Sequence, residues 1–189
     1  LKLALMTFNT GRLTLPAACI GLSKRCLEIT NKWANERQQW GAPIGHHAAI
    51  ADKIAHMASS IFAIEAMTYL TAALVDRHDT DIRLEAAMCK MWGTETAWKI
   101  VDNTLQIRGG RGYETADSLK ARGEEGVPVE RLMRDCRINL IFEGSSEIMR
   151  LFIAREALDP HLKEAGAVLN SRLPKSQRQA EPKAARRAG

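Results

Sequence analysis

Glu143 is the residue whose neighbours best suit it for chemistry. It follows Leu140–Ile141–Phe142 and precedes Gly144. A carboxylate drawn out of water becomes a stronger base, and a glycine lets another molecule approach the backbone closely. The same acid also reads as a charge placed at a helix N-terminus, where it is favoured. On the residues alone both readings stand.

Two other segments carry suitable groups. Gln106–Ile107–Arg108–Gly109–Gly110–Arg111–Gly112–Tyr113 is a glycine-rich helix exit. It lacks the preceding strand that a dinucleotide fingerprint needs, so a C-cap with a turn is the plain reading. Arg37–Gln38–Gln39–Trp40–Gly41 puts a guanidinium and an indole at a helix end. Arg binds phosphate in a bidentate manner and Trp packs on flat rings. The alternative is a cation at a helix C-terminus, with Trp40 in the core. His46 and His47 are adjacent, so they lack the i, i+4 spacing of a metal pair on a helix. Cys19, Cys26, Cys89 and Cys136 form no CxxC. They read as reduced, buried thiols and point to an intracellular setting.

The elements that must position these groups read as helices, with no convincing strand. The first is expected from about Phe8 to Trp33, firm from Pro16 onward. Gly41, Pro43 and Gly45 mark a loop. Ile50, Ile54, Met57, Ile61, Ile64 and Met67 recur at helical spacing, so the second helix buries one face and ends near His78. Asp79 and Asp81 are candidate caps for a third helix, with Leu84, Met88, Met91, Trp98, Val101 and Leu105 as its apolar positions and Gly109–Gly110 as its stop. A short polar turn between two long helices predicts antiparallel neighbours. Residues 111–127 read as a polar loop. Pro128 opens a short helix. Ser145 and Ser146 cap a last one, bounded by Pro160.

The 189 residues are 46% apolar and 26% charged, enough for one core without staples. Residues 171–189 hold six basic residues against one acid, while the other 170 carry 21 of each sign. The net charge of +5 therefore belongs to the tail, and the body gives no case for nucleic-acid binding. No unbroken apolar run reaches the roughly 18 residues of a membrane span, so no transmembrane segment is expected. The start, Leu1–Lys2–Leu3–Ala4, has no signal-peptide pattern and no initiator Met. The chain is therefore expected to be a piece of a longer one, with a domain over 1–165 and a basic linker or tail over 166–189.

In order and spacing, several motifs together resemble the C-terminal region of the acyl-CoA dehydrogenase flavoenzymes. They are Glu36–Arg37–Gln38–Gln39–Trp40–Gly41–Ala42–Pro43–Ile44, Glu85–Ala86–Ala87–Met88–Cys89–Lys90, the Gln106–Tyr113 segment, Glu130–Arg131–Leu132–Met133–Arg134–Asp135, and Ile141–Phe142–Glu143–Gly144–Ser145–Ser146–Glu147–Ile148–Met149–Arg150. The resemblance covers about Phe8 to Leu162 and is nearest the very-long-chain and related bacterial branch.

The resemblance implies an all-α, antiparallel helical bundle that carries subunit interfaces, in a homodimer or homotetramer. It implies FAD as cofactor and an acyl-CoA as substrate. Glu143 matches the base that removes the α-proton, while hydride passes from the β-carbon to flavin N5 to leave a trans-2-enoyl-CoA. The enolate oxygen would be held by the Glu143 N–H and a flavin ribityl hydroxyl. Arg37 matches an Arg that reaches the FAD pyrophosphate of a neighbouring subunit. Trp40, in place of a usual Phe, is expected near the flavin. Gln106, Gly109 and Gly110 match a segment at the adenosine end of FAD. Ser145, in place of Thr, and Glu147 are expected at the flavin. Asn9, Arg12 and Gly144 are expected at the substrate.

The resemblance is incomplete in three places. Ala48 stands where many members have a flavin-touching Gln. The loop over 114–127 is longer than in short-chain members and is expected at subunit contacts. The family's N-terminal and middle domains have no counterpart in these residues, so the chain alone is expected to be inactive. Electron-transferring flavoprotein is the expected electron acceptor, in the cytoplasm of a bacterium or a mitochondrial matrix. The alternatives are an acyl-CoA oxidase, which passes electrons to oxygen, and a non-catalytic helical subunit.

Overall fold

Pro16 does not start the first helix; it lies inside it. In the computed structural model, which describes residues 2–77 and 81–169 (without the side chains of 2–10, 164 and 167–169), α1 runs over Lys2–Glu36. A proline inside a helix leaves one carbonyl without its donor. Here the ring is fully buried, and a Cβ built on Gly93 would sit 3.2 Å from the Pro16 Cβ. The close packing of that ring on a glycine offsets the lost bond.

Beyond α1, the chain forms a two-residue hairpin, β1 (Gln38–Gln39) against β2 (Ala42–Pro43), in antiparallel register. These are the strands that the sequence reading omits. Their turn residues, Trp40 at φ 49° and Gly41 at φ 79°, are both left-handed, as a tight hairpin turn demands. Then follow α2 (Ala48–Asp76), α3 (Arg83–Arg108), α4 (Gly110–Tyr113), α5 (Ala116–Ala121), α6 (Val129–Arg137) and α7 (Ser146–Leu169). The predicted helix end at His78 and the Asp79 cap lie outside the described residues, as does the tail from 170 on. Asp81 still accepts from the Arg83 N–H at 3.2 Å.

Cross-contacts give the directions. Pro16 meets Gly93, Thr30 meets Thr104 at 3.2 Å, and the Trp33 indole donates to the Ile107 carbonyl at 3.2 Å. Thus α1 and α3 run parallel. Between them α2 is reversed, joined to α3 by Thr71–Cys89 and Lys53–Asn103. The predicted antiparallel pair is therefore present. On the far side α7 is also reversed, with ion pairs Arg83–Glu156 and Glu95–Arg150. The architecture is the expected all-α bundle.

The core lies on α3. Its buried positions include Ala86, Ala87, Cys89, Gly93, Thr94, Ala97, Ile100 and Val101, whereas Met88, expected inside, is exposed. α3 touches α1, α2, α6 and α7. A helix covered on several sides has no single apolar stripe, and small residues let its neighbours close in. On α2 the predicted stripe holds: Met57, Ile61 and Ile64 are buried, each contributing about 1.5–3 kcal/mol.

Two expectations are corrected and a third is qualified. The 111–127 stretch is not a bare loop: it forms α4 and α5, with Thr115 capping α5 and Leu119 fully buried as its anchor. Arg111 grips the Glu124 carboxylate at 2.9 and 3.2 Å, and Arg122 reaches Glu114 at 2.8 Å. Pro160 lies within α7 rather than bounding it. Finally, α2 is long and apolar enough to cross a membrane by length and composition. Its sparse polar residues break every unbroken run yet leave the average apolar. In this fold its Met57, Ile61 and Ile64 face protein.

The four thiols are buried. Burial pushes Cys19 from an ordinary 9.0 up to about 12, and Cys26 and Cys136 up to about 11. Cys89 is raised for the same reason. A group whose folded pKa is raised stabilises fully below its unfolded pKa and loses that contribution as pH climbs to the folded one. Lys90, Arg12 and Arg108, pushed down by burial, act in the opposite sense below their ordinary 10.5 and 12.5, but are outnumbered by the four thiols together with Lys24 and Lys32, raised by their ion pairs. The denaturant midpoint is therefore predicted to fall between pH 8 and pH 11. A midpoint that holds or rises would contradict this packing of the thiols.

Candidate functional site

Glu143 sits in a turn that a side chain dislikes. Its φ is 54° and that of Gly144 is 102°. Such a conformation costs a non-glycine residue on the order of 1–2 kcal/mol. The turn follows a short 3-10 segment, Ile138–Leu140, and precedes α7. The Phe142 N–H donates to the Ile138 carbonyl at 3.1 Å, which fixes the near side. On the far side the Gly144 carbonyl accepts from Lys90 Nζ at 2.5 Å. Beneath the turn lies the buried Met149, whose Cε a Cβ on Gly144 would strike. The positive φ is what calls for glycine, and any Cβ would also force the end of Met149 to move.

The Glu143 carboxylate lies over α1. A Cβ on Gly11 would stand 2.8 Å from its Cδ, so Gly11 makes the room it occupies. Its Oε2 is buried with no hydrogen-bond partner among the described residues. A buried carboxylate oxygen left open in this way is an acceptor ready for an incoming proton. The Glu143 N–H likewise has no partner among the described residues and can donate to a carbonyl.

Two cations stand near. The Arg12 guanidinium lies 5.0 Å from the centroid of the Phe152 ring. Burial lowers its pKa, and the charge of Glu143 acts against that shift. Lys90 is fully buried, and its pKa is lowered by burial and raised again by Glu143. Ser145 precedes α7, and its carbonyl accepts from the Met149 N–H at 2.8 Å. Glu147 is exposed on the first turn of α7, where its own N–H and the Ser145 hydroxyl lower its pKa. Glu143, Gly144 and Arg12 therefore gather where α1 passes the turn, while Ser145 and Glu147 line an adjoining hollow with Trp98, Lys99 and Arg137, farther along α3. Asn9 is on α1, two residues before Gly11, but its side chain lies outside the described residues.

The remaining predicted residues are elsewhere. Arg37, Gly109 and Gly110 line a groove of about 240 Å³ with Trp33, Ile107 and Arg108. Gly109 has φ 60° and no atom near a Cβ position, and Gly110 is equally open, so both present bare backbone. Gln106 is exposed one turn before, its carbonyl accepting from the Gly109 N–H at 3.1 Å. Trp40, at 89% exposure, is on the hairpin tip, edge-on to His47 at 5.6 Å. The core reading of Trp40 is therefore wrong: the left-handed turn turns the indole outward. From Gly11 to Glu36, at roughly 1.5 Å per residue, α1 advances about 37 Å. From Lys90 to Gly109, α3 advances about 28 Å. The two groups of residues lie at opposite ends of one chain.

Sequence reasoning missed Gly11, Lys90, Met149 and Phe152. For Lys90 a signal existed: a lysine beside Ala86, Ala87 and Cys89 in a helix of small residues.

The family model described as acyl-CoA dehydrogenase, C-terminal domain, matches residues 1–158. The probable acyl-CoA dehydrogenase FadE10 of Mycobacterium tuberculosis is 53% identical over 180 residues, covering 95% of this chain and 28% of that protein. The human mitochondrial very long-chain specific acyl-CoA dehydrogenase is 37% identical over 153 residues, covering 81% of this chain and 22% of its own length. The chain thus spans about a quarter of these relatives. Among solved structures, an acyl-CoA dehydrogenase of Bacillus anthracis complexed with FAD superposes with a TM-score of 0.71 at 31% identity, over 88% of this chain and 31% of that one.

The geometry of the turn carries its own prediction. Gly144→Ala should lower stability by roughly 1–3 kcal/mol, and by more than Gly41→Ala, whose positive φ stands in open space. Denaturant unfolding of both variants measures the difference. An equal or smaller loss at Gly144 would contradict the packing of Met149 beneath it.

Proposed function

The chain belongs to the acyl-CoA dehydrogenase family, and from that premise we propose that it serves as the C-terminal helical domain of a longer FAD-dependent enzyme. That enzyme converts an acyl-CoA thioester to a trans-2-enoyl-CoA. The observation that carries the reading is the half-buried Glu143, its carboxylate seated over Gly11 with Oε2 covered and unpartnered among the described residues.

The α-proton of a thioester is weakly acidic, so its base must be strong, dry and well aimed. Glu143 has a fixed backbone on both sides and a covered, open oxygen, while Ile141 and Phe142 beside it are exposed. It takes the α-proton on its carboxylate. The charge that develops on the thioester oxygen needs a donor in place before reaction, and the unengaged Glu143 N–H supplies one. Gly144, seated on Met149, lets the turn take the backbone course that presents this N–H. Arg12, with Nε buried and unpartnered, adds positive charge on the same side. FAD, when bound, supplies the hydride acceptor for the β-carbon. The residues suited to hold it are Ser145 and Glu147 at the turn, and Arg37, Gln106, Gly109 and Gly110 at the other end. Arg37 offers a bidentate fork for a pyrophosphate, and the bare glycine backbone allows close approach. Trp40, exposed beside them in sequence, is proposed to pack against a flat ring.

The separation of the ends favours assembly. With about 28 Å along α3 between them, we assign the Arg37 end to the flavin of a neighbouring copy. Two apolar surfaces are available for such contacts. One on α2 includes Phe62, Tyr69 and Leu70, and one on α7 includes Ile148, Leu151 and Leu158, all exposed. Apolar surface of this kind marks an interface. The electron acceptor is proposed to be an electron-transferring flavoprotein, and the setting the cytoplasm or, in a eukaryote, the mitochondrial matrix.

Glu143→Gln in the full-length protein should slow anaerobic bleaching of the flavin by acyl-CoA by at least about 100-fold. Bleaching at the parental rate would remove Glu143 as the base. Light scattering of the chain itself should show dimers or larger species. A strictly monomeric solution would contradict the interface reading.

A further inference from the structure

We propose that Lys90 is the positioning residue for Glu143: its ammonium, donating to the Gly144 carbonyl, holds the turn that aims the carboxylate. The proposal rests on the reading of Glu143 as the base.

Lys90 is the largest fully buried side chain among the described residues. Burying an ammonium is costly unless something specific compensates it. It makes no ion pair among the described residues; its donor goes to a main-chain carbonyl 54 positions away, at 2.5 Å. The acid whose charge acts most on it is Glu143. A lysine retained only to stabilise α3 would be better replaced by an apolar side chain in this setting. Its partner is what gives it a use.

The backbone shows what that use is. The Phe142 N–H is tied to Ile138. The Gly144 carbonyl is tied to Lys90, and Gly144 rests on Met149. Glu143 is the one residue between these anchors, and it has φ 54°. Left to itself, a non-glycine residue falls back to negative φ. That change rotates its Cβ and carries the carboxylate away from Gly11. Lys90 is the only polar side chain among the described residues that donates to this turn's main chain from another helix. Because α3 is packed on several sides, the donor is anchored in the most rigid part of the bundle. The hold therefore comes from the core and not from the surface.

The test is Lys90→Met in the full-length protein, which keeps the length and bulk of the side chain and removes the donor. Four quantities are read: flavin content, melting temperature, acyl-CoA affinity by anaerobic titration, and the single-turnover rate of flavin reduction. Parental flavin content, a melting temperature at or above the parent's, affinity within about threefold and reduction slowed about 100-fold would support the proposal, because misaiming by 1 Å has that scale of effect. Reduction at the parental rate in the folded variant would overturn it. So would a loss of affinity equal to the loss of rate. If Lys90→Met does not fold, Lys90→Gln replaces it, its amide too short to reach the same carbonyl. Tenfold or slower reduction then supports the proposal and the parental rate overturns it. Glu143→Gln is measured alongside. Parental reduction by that variant would defeat the reading of the base itself, whereas a dead Glu143→Gln with an unimpaired Lys90→Met would defeat only the role of Lys90.

Discussion

The close approach of α1 and α3 is the constraint on which the rest of the domain depends. Gly93 lets the Pro16 ring pack closer than another residue's Cβ would comfortably allow, at 3.2 Å from where that Cβ would stand. Farther along, Thr30 and Thr104 meet hydroxyl to hydroxyl, and Trp33 reaches the Ile107 carbonyl. Both threonines satisfy their hydroxyls on their own helices, at Cys26 and Ile100, so little polarity is stranded between them. The result is a rigid parallel pair with α2 and α7 laid against it. Gly11 and Lys90 lie toward one end, and Arg37 and Gly109 at the other. Neither end can shift without sliding a packed helix, so the pair acts as a ruler between two sites.

At the first end the pair supports a strained turn. Strain of this sort persists only where the surroundings over-determine it. Here a hydrogen bond from Phe142, the ammonium of Lys90 and the side chain of Met149 together leave Glu143 one position. At the other end there is no comparable burial. Arg37 and Gly109 are exposed on a shallow groove, as suits residues that meet something brought to them. The short helices α4 and α5, tied by Arg111–Glu124 and Arg122–Glu114, brace the chain just beyond Gly110.

Much of this was legible in the sequence, and what was not has physical reasons. The stripe on α2 could be read because that helix buries one face. α3 misled because it is covered on several sides, so its inner positions are alanine, glycine, cysteine and threonine rather than a period of large apolar residues. Pro16 reads as the start of the firm part of its helix and Pro160 as a boundary, yet each lies well within a helix, Pro16 packed on a glycine of α3 that no local signal reveals. Glu143 stood out through its apolar neighbours and following glycine. Its left-handed backbone did not, because conformation depends on Lys90 and Met149, one on another helix and one on the next. Lys90 was visible as a lysine among small residues, but its partner, 54 positions away, was not. The separation of Arg37 from Glu143 emerged only when the parallel course of α1 and α3 was known.

The central claim is that one chain supplies the base to one active site and a cofactor contact to a neighbour's. Co-expression of full-length Arg37→Ala chains with full-length Glu143→Gln chains tests it most directly, by flavin reduction in the isolated mixed oligomer. A site that takes its base from the Arg37→Ala chain and its Arg37 from the Glu143→Gln chain is intact. The account predicts that mixed oligomers regain acyl-CoA-dependent flavin bleaching that neither variant shows alone. No recovery in a verified mixed oligomer, with each parent variant impaired by itself, would contradict it and place both residues in the same chain's site.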